Sequence, residues 1–595
     1  MNQCLSPRHR CFWCIGATYL FVMLVVGSVD AGVRSGPIEI TVVESARFAS
    51  TSHANQHTSH GYFEHVVTLQ NHSPNEANVL LTLKCRLYWG SELTVAFRRV
   101  IVPKEQTITT SLFQPPIYSD NPFLEVKVAG VRDPVVISVS SPLKYFPPYS
   151  SGSPAPAMLV SRSSPEFFIK TLSTTTTLLI NDLPLKQWST HWLGYSSYDG
   201  IVLTDAEIDE APSEVQSALR GYVECGGTIY LRGDTIPKVW AAGAEKEDDK
   251  NYLIGLGKLT IMGGSGPASW VVSTYNLVRS DIHSYTPHDI PNTPKGLLVA
   301  KTSVPVRGMF VLIVLFGIGI GPVNLFLLSW TNRRIWFWWN VPLIATLTCV
   351  LIFGYALLSD GISNRALASS ITLLDQPRHR ATTFGYSSYY CPFAPYSGPT
   401  CSVDTDITLL EAPSVDNFSR HDSVTPQITD WTEEQQLTSG WIQARVPTYF
   451  QFRKTEDRRE RLTVEVGADG TYTIVNALGA KIKRLYLAKE DGEVIVATDI
   501  AAGARATLDP KDILPRKPVN GEQKVKAKRS EARNIFRQVY WLPALRMWND
   551  GPMAPEWLAP GCYVAFLDAS PFVEQTLSGA SPRDSVAIVY GIYKD

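Results

Sequence analysis

At 595 residues the chain is too long for a single hydrophobic core, so several domains are expected. Its 54 basic and 55 acidic residues leave a formal net charge of -1, which excludes the domain-wide positive field of a nucleic-acid-binding protein. With 25 Tyr, 23 Phe, 15 Trp and 40 each of Gly and Pro, the composition suits turn-rich β domains outside the cytoplasm better than helical bundles.

The chain opens on the pattern of a targeting segment. Arg8, His9 and Arg10 precede an apolar run from Phe12 to Val26, and Val29-Asp30-Ala31 offers small residues at a cleavage site. A signal peptide is expected over residues 1–31, with an uncleaved anchor as the alternative. Residues 36–145 then carry seven short runs rich in Val, Ile and Thr, among them IEITVVES, NVLLTLKCRLYW and LEVKVAG. Such spacing predicts an immunoglobulin-like β-sandwich. Phe146–Ala157 is a linker by composition.

From residue 157 to about 265 the pattern changes. AMLVS, TTLLIND, YDGIVLTD and TIYLRGD are continuous apolar strands. Between the last two, Val215, Leu219 and Val223 have helical spacing, with Ser213 placed to cap the helix and Gly226-Gly227 placed to end it. Strand, helix, glycine turn and strand make a crossover unit, hence a parallel sheet.

Two stretches of near-uniform hydrophobicity follow. Met309–Leu328 and Phe337–Leu358 carry no charge, and each is long enough to cross a bilayer about 30 Å thick. Helices are therefore expected over 308–330 and 336–358. Trp330, Trp336, Trp338 and Trp339 cluster at the short connection, as an interfacial aromatic belt does, and Arg333 and Arg334 suit a cytoplasmic turn. Lys295, Lys301 and Arg307 flank the opposite end, so the targeting segment decides the orientation. It puts both large domains outside the cytoplasm. Gly317, Gly319, Gly321 and Asn324 form a small and polar face on the first helix, suited to close packing within the hairpin or against a partner helix.

Residues 365–595 read as mainly β, with Asp491-Gly492 marking a hairpin turn between apolar runs. Cys391 and Cys401 bracket CPFAPYSGPTC, a candidate short-loop disulfide in an oxidising compartment. Arg516–Arg533 is basic and reads as a solvated loop.

The stretch GYSSYDGIVLTDAEIDEAPSEVQSALRGYVECGGTIYLRGD, Gly194–Asp234, is similar to the core of class I glutamine-amidotransferase-like domains. With GPVNLFLL at Gly321–Leu328 and LAPGCYVAFLDASPF at Leu558–Phe572, the chain resembles a group of uncharacterised bacterial membrane proteins. That resemblance implies the α/β domain and a bacterial membrane location but carries no activity.

Amidotransferase chemistry needs a Cys at a strand-to-helix elbow with a His and a carboxylate beside it. The strand ending at Leu231 runs into Arg232-Gly233-Asp234-Thr235, which has no thiol. Cys225 lies on the wrong side of that strand, and His191 is the domain's sole histidine. The domain is expected to lack the catalytic nucleophile. Two other constellations remain. Asp205 and Asp234 follow two parallel strands, at the sheet edge where ligands of such folds bind. His53, His57 and His60, with His65 and His72 nearby, could capture a transition metal, or simply belong to a polar loop. No cofactor is expected. The expected function is a membrane-anchored, outward-facing, non-catalytic scaffold that binds a protein or envelope component. The alternatives are an accessory subunit docked through the hairpin, or a hydrolase or transferase at the acidic edge.

GYSSY occurs twice, at Gly194–Tyr198 and Gly385–Tyr389, each followed by TD and EAPS. The first runs into a strand and a helix and the second into a Pro-rich loop, so the two are expected to lie in unrelated folds.

Overall fold

The computed structural model describes residues 32–43, 46–48, 60–86, 92–115, 120–139, 157–163, 177–262, 306–330, 336–360, 363–395, 397–410, 427–468, 470–508, 513–514, 558–574, 577, 580–582 and 585–594. The expected signal peptide, the 146–156 linker and the basic 516–533 stretch lie outside the described residues. The chain is multi-domain and mostly β, with few helices and two long apolar ones.

The first β region forms two sheets around one core. Val33–Ser35, Ile38–Val43, Phe63–Asn71 and Thr107–Gln114 make an antiparallel four-stranded sheet. Glu92–Val102, Ala77–Arg86, Asp120–Val128 and Val135–Ser138 contribute to the other. Alternate side chains face inward, as the two-residue period of a strand requires. Ile38, Ile40, Val67 and Leu69 of one sheet meet Val79, Leu81 and Leu83 of the other. The second sheet does not end with local strands. Ile428–Asp430, Gln435–Ser439 and Thr400–Cys401, from beyond the apolar helices, extend it to seven. Thr429 and Asp430 pair in parallel with Ala96 and Phe97, and the Trp431 amide donates to the Phe97 carbonyl at 2.9 Å.

The α/β region has five parallel strands, Ala157–Ser161, Thr177–Asn181, Gly200–Thr204, Thr228–Arg232 and Gly257–Ile261. Their spatial order is second, first, third, fourth, fifth. Because both faces are covered, the strands are apolar throughout rather than alternating; Ile201, Val202 and Leu203 are all essentially inaccessible. Antiparallel strands finish the two edges: Asn251–Ile254 with Glu245–Lys246 on one side, and Arg47–Phe48 on the other. The helix Ser213–Glu224 buries Val215, Leu219 and Val223 as its spacing predicts. Pro212 takes the N-cap position and Ser213 the first helical one, where proline's fixed φ suits an extended residue leading into a turn. The helix ends at Cys225, and Gly226 adopts φ +107°, a conformation that a side chain would strain.

Val306–Ile318, a π-helical turn at Gly319–Val323 and Asn324–Trp330 form one continuous apolar helix, paired with Phe337–Asp360. Pro322 lacks the N–H that the α-helical ladder needs, and the wider turn accommodates it. Ile313–Trp330 and Phe337–Tyr355 have mean hydropathies of 1.9 and 1.7 and are long and apolar enough to cross a membrane. Of these windows 11% and 0% are buried within the protein, so their side chains are not a soluble core.

The last region centres on a ten-stranded sheet. Arg365–Asp375 pairs antiparallel with Arg380–Tyr390 and parallel with Val586–Ile592. Beyond Arg380–Tyr390 lie Thr448–Asp457 and the edge strand Thr405–Leu410; on the other side lie Cys562–Leu567, Ile482–Ala488 and Val494–Ile500. A separate three-stranded sheet, Arg461–Val466, Tyr472–Ala477 and Arg505–Leu508, supplies Leu462, Ile474 and Leu508 to a core shared with the large sheet. The turn expected at Asp491-Gly492 joins the strands ending at Ala488 and starting at Val494, with Gly492 at φ +87°.

Candidate functional site

The carboxyl edge of the parallel sheet is where this topology opens a crevice. Chain direction across the sheet reverses between Ala157–Ser161 and Gly200–Thr204, and ligands of open α/β sheets enter at such a reversal. Thr204 caps the short helix Asp205–Glu210: its hydroxyl accepts from the Glu207 amide, and the Glu207 carboxylate accepts from the Thr204 amide at 2.9 Å. Glu207 also accepts from Ser161 Oγ at 2.9 Å and Ser163 Oγ at 2.6 Å. The reversal is thus bridged by the protein's own carboxylate. The threonine-to-glutamate spacing is a capping-box signal visible in the sequence, whereas the serines' part in it is not.

Asp205 and Asp234 stand at this edge, since Thr204 and Arg232 are register partners at the ends of adjacent strands. Asp205 lies half-buried against Gly233 and accepts from the Ala206 amide at 2.9 Å; Asp234 is exposed. Asp234 is one strand further from the reversal than Asp205. Among the described residues no group of three metal-ligating side chains occurs. His53 and His57 lie outside the described residues. His60, with its side chain 27% exposed, pairs with Asp199, Nε2 to Oδ1 at 3.0 Å. His65 bonds Gln114 and His72 bonds Glu39, on different faces of the sandwich.

His60 opens a second polar assembly, where the three regions meet. Asp199 also accepts from the Ala157 amide at 2.8 Å, fixing the start of the first parallel strand. Burial opposes charging His60, but the Asp199 carboxylate more than offsets it, so its pKa is raised. Arg453 and Asp406, register partners on neighbouring strands, lie within electrostatic reach and form their own buried ion pair. Next in the chain, Gly61 sits at φ +68° against the Ser196 backbone. The Tyr62 amide donates to Ser196 Oγ at 2.8 Å. The Tyr62 hydroxyl donates to the Ile407 carbonyl at 2.7 Å and accepts from Gln435 at 2.6 Å. Residues 60–62 thereby touch both other regions.

A second bridge joins the α/β region directly to the large sheet. Glu224, 3% exposed, accepts from Arg220 at 2.9 Å, Arg380 at 2.5 Å and Thr455 at 2.7 Å. Burial alone would raise its pKa; Arg380 and the other donors reverse this and hold it lowered. A third links His191 to Asp404 at 3.2 Å, with the Trp192 indole donating to the Asp404 carbonyl at 2.7 Å. Beneath it Glu64, packed against Ser111, has its pKa raised by burial. None of these pairings is legible in sequence, because their members lie between 139 and 345 residues apart in most cases.

Cys225 is a buried thiol whose pKa burial pushes up, the environment of an inert side chain. Cys391 and Cys401 are buried free thiols within the same core, and burial raises Cys391 to about 11. In the apolar hairpin, Asn340 donates to Asn324 at 3.4 Å, so Asn324 faces the second helix. A methyl group added at Gly317, Gly319 or Gly321 would meet no atom within 4 Å among the described residues. The hairpin closes elsewhere, with Gly308 against Tyr355.

No family model matches the chain, and no curated protein does. Among solved structures the chain is similar to the yeast delta-COP-I mu-homology domain complexed with a Dsl1 WxWxV peptide, at 8% identity and a TM-score of 0.16. That match covers 38% of this chain and 96% of the other.

Proposed function

We propose that the chain is a membrane-anchored, outward-facing scaffold of a bacterial membrane, whose apolar hairpin tethers one composite body that binds a protein or envelope component. The observation that carries this reading is the strand pairing across the hairpin. Ala96–Phe97 and Thr429–Asp430 share a sheet, which supports a two-span hairpin with the segments before and after it on one side of a bilayer. The targeting pattern in residues 1–31 supports reading that side as the outer one. The α/β region is read as an amidotransferase-like domain used for binding. In support, its parallel-sheet reversal is bridged by Glu207, and no thiol stands at the elbow after Thr228–Arg232.

The open flank at Gly317, Gly319 and Gly321 favours a second reading, an accessory subunit docked through the hairpin onto a partner helix. Reporter fusions at Thr331 and Asp595 test the first reading: an exported signal at Thr331 sinks it. Purification in mild detergent tests the second: reproducible recovery of one membrane partner, lost on Gly321→Leu, supports it, and a chain recovered alone counts against it. Asp205→Asn with Asp234→Asn should leave every cellular phenotype unchanged. A phenotype would point instead to hydrolase or transferase chemistry at that edge.

A further inference from the structure

The helix Phe337–Asp360 and the central strand Arg365–Asp375 are separated by only residues 361–364. Five Cα steps span at most about 18 Å, so the Arg365 end of the large sheet is held close to the end of the apolar helix. Strand direction fixes what else lies there. Arg380–Tyr390 runs antiparallel to Arg365–Asp375 with Tyr390 opposite Arg365, so the chain past Tyr390 continues toward the helix. Thr448–Asp457 starts opposite Tyr389, so the residues before Thr448 lie at the same end. Cys391 bridges to Ala444, and the Arg445 amide donates to the Cys391 carbonyl at 2.7 Å, tying the two loops together.

These loops carry Phe393, 49% exposed, and Val446, 46% exposed, which are among the few large apolar side chains exposed outside the hairpin. Arg445, exposed between Ala444 and Val446, adopts φ +61°, an uncommon conformation for a residue with a side chain. The opposite end of the sheet is polar and covered: Arg380 pairs with Glu224, and Arg378 packs against Gly243 of the α/β region.

We infer that the paired loops around Phe393 and Val446 form a bilayer-contacting surface, with the two apolar side chains entering the headgroup region of the membrane that holds the hairpin and Arg445 facing lipid phosphate. This rests on the reading of the hairpin as membrane-spanning. Apolar side chains flanked by a cation are the chemistry of interfacial anchoring. The body would then stand on the membrane at one end of its large sheet, with the α/β region held away from it.

The test is a photo-crosslinking residue, p-benzoylphenylalanine, placed in the full chain at position 393, 347 or 239. The protein is reconstituted into phosphatidylethanolamine–phosphatidylglycerol vesicles, and lipid adducts are read by mass spectrometry. Adducts are expected at 347, within the hairpin, and at 393, and not at 239, which is exposed on the α/β region. Adducts at 347 without adducts at 393 overturn the inference alone. No adducts at 347 overturn the membrane reading and the inference with it. Equal yields at 393 and 239 also overturn it, as indiscriminate surface contact. Arg445→Glu should lower the yield at 393 roughly fivefold in these anionic vesicles; an unchanged yield removes Arg445 from the surface.

Discussion

The same five residues, Gly-Tyr-Ser-Ser-Tyr, occur in two regions of this protein and do opposite things. At Gly194–Tyr198 they form the end of a 3-10 turn, Trp192–Tyr195, and the approach to a parallel strand. There their polar groups serve the junction: Ser196 accepts from the Tyr62 amide, and the Tyr198 carbonyl accepts from the Tyr222 hydroxyl. At Gly385–Tyr389 they run straight through the second half of an eleven-residue strand, paired on both sides. Flanking sequence decides the outcome. Arg380-Ala-Thr-Thr-Phe leads the second copy in with β-favouring residues, whereas Trp192-Leu precedes the first. Shared letters therefore carry no shared fold here.

The Glu224–Arg380 bridge ties the two settings together, since Glu224 ends the helix that holds Tyr198 and Arg380 begins the strand of the second copy. Arg380→Leu should cost about 3 kcal/mol, because it takes from the buried Glu224 carboxylate one of its two cations and leaves only Arg220. Thermal unfolding in detergent measures this, and a loss below about 1 kcal/mol would mean the two regions are not energetically coupled. The strand that docks on the first copy gives a pH signature. Burial lowers His65 to about 4, so it stays neutral in the folded protein while the unfolded chain takes a proton near pH 6.5. Its contribution is complete above pH 6.5 and is lost as pH falls toward 4, by about 3 kcal/mol. His60 has the opposite sign: its raised pKa gives stability below the unfolded value that is lost as pH rises. Melting curves from pH 7 to 4 should flatten in His65→Asn and steepen in His60→Asn; the same change in both would refute the contrast.

The glycines of the two copies sharpen it further. A Cβ at Gly385 would lie 2.5 Å from the Phe452 ring and 2.7 Å from the Ser369 carbonyl, which cannot yield without breaking the ladder. At Gly194 it would meet side-chain atoms of Glu64 and Ser189, both at 2.7 Å. Gly385→Ala should cost about 1–3 kcal/mol and Gly194→Ala less; a reversed order would show the turn to be the more rigid setting. Glu207→Ala, which removes the capping box beyond the first copy, should cost about 1 kcal/mol by denaturant titration. The smallest effect belongs to the third residue of each copy's serine–tyrosine core. Ser197 and Ser388 are both inaccessible, with hydroxyls that find no partner among the described residues. Replacing either by alanine should change stability by less than about 1 kcal/mol, and a larger loss in one alone would expose a bond specific to that setting.

What the sequence made legible were local features. The parallel strands announced themselves because burial on both faces demands unbroken apolar runs, and the helix at Ser213–Glu224 because its buried residues recur every three to four positions. The apolar hairpin and the Asp491-Gly492 turn were visible for the same reason. The composite sheet was not. Ile428–Asp430 and Gln435–Ser439 are short and polar, with Trp431 and Leu437 as their main apolar anchors, and nothing in them names a partner before the hairpin. At the candidate site, Asp205 and Asp234 could be placed at the sheet edge from strand order alone. Glu207's grip on Ser161 and Ser163 depends on which strands become neighbours, and that is set by tertiary contacts.

The strand pairing across the hairpin also sets a timetable. Arg99 and Thr432, which bond at 3.2 Å, are 333 residues apart. At roughly 5–20 residues per second of synthesis, Glu92–Val102 waits about 20–70 s for its neighbour, with one edge bare while the two apolar helices are made. An unpaired edge of that length invites association with other chains. The newborn first half of this protein is thus a client for whatever holds unfinished chains apart, and its exposure ends only when the second half arrives.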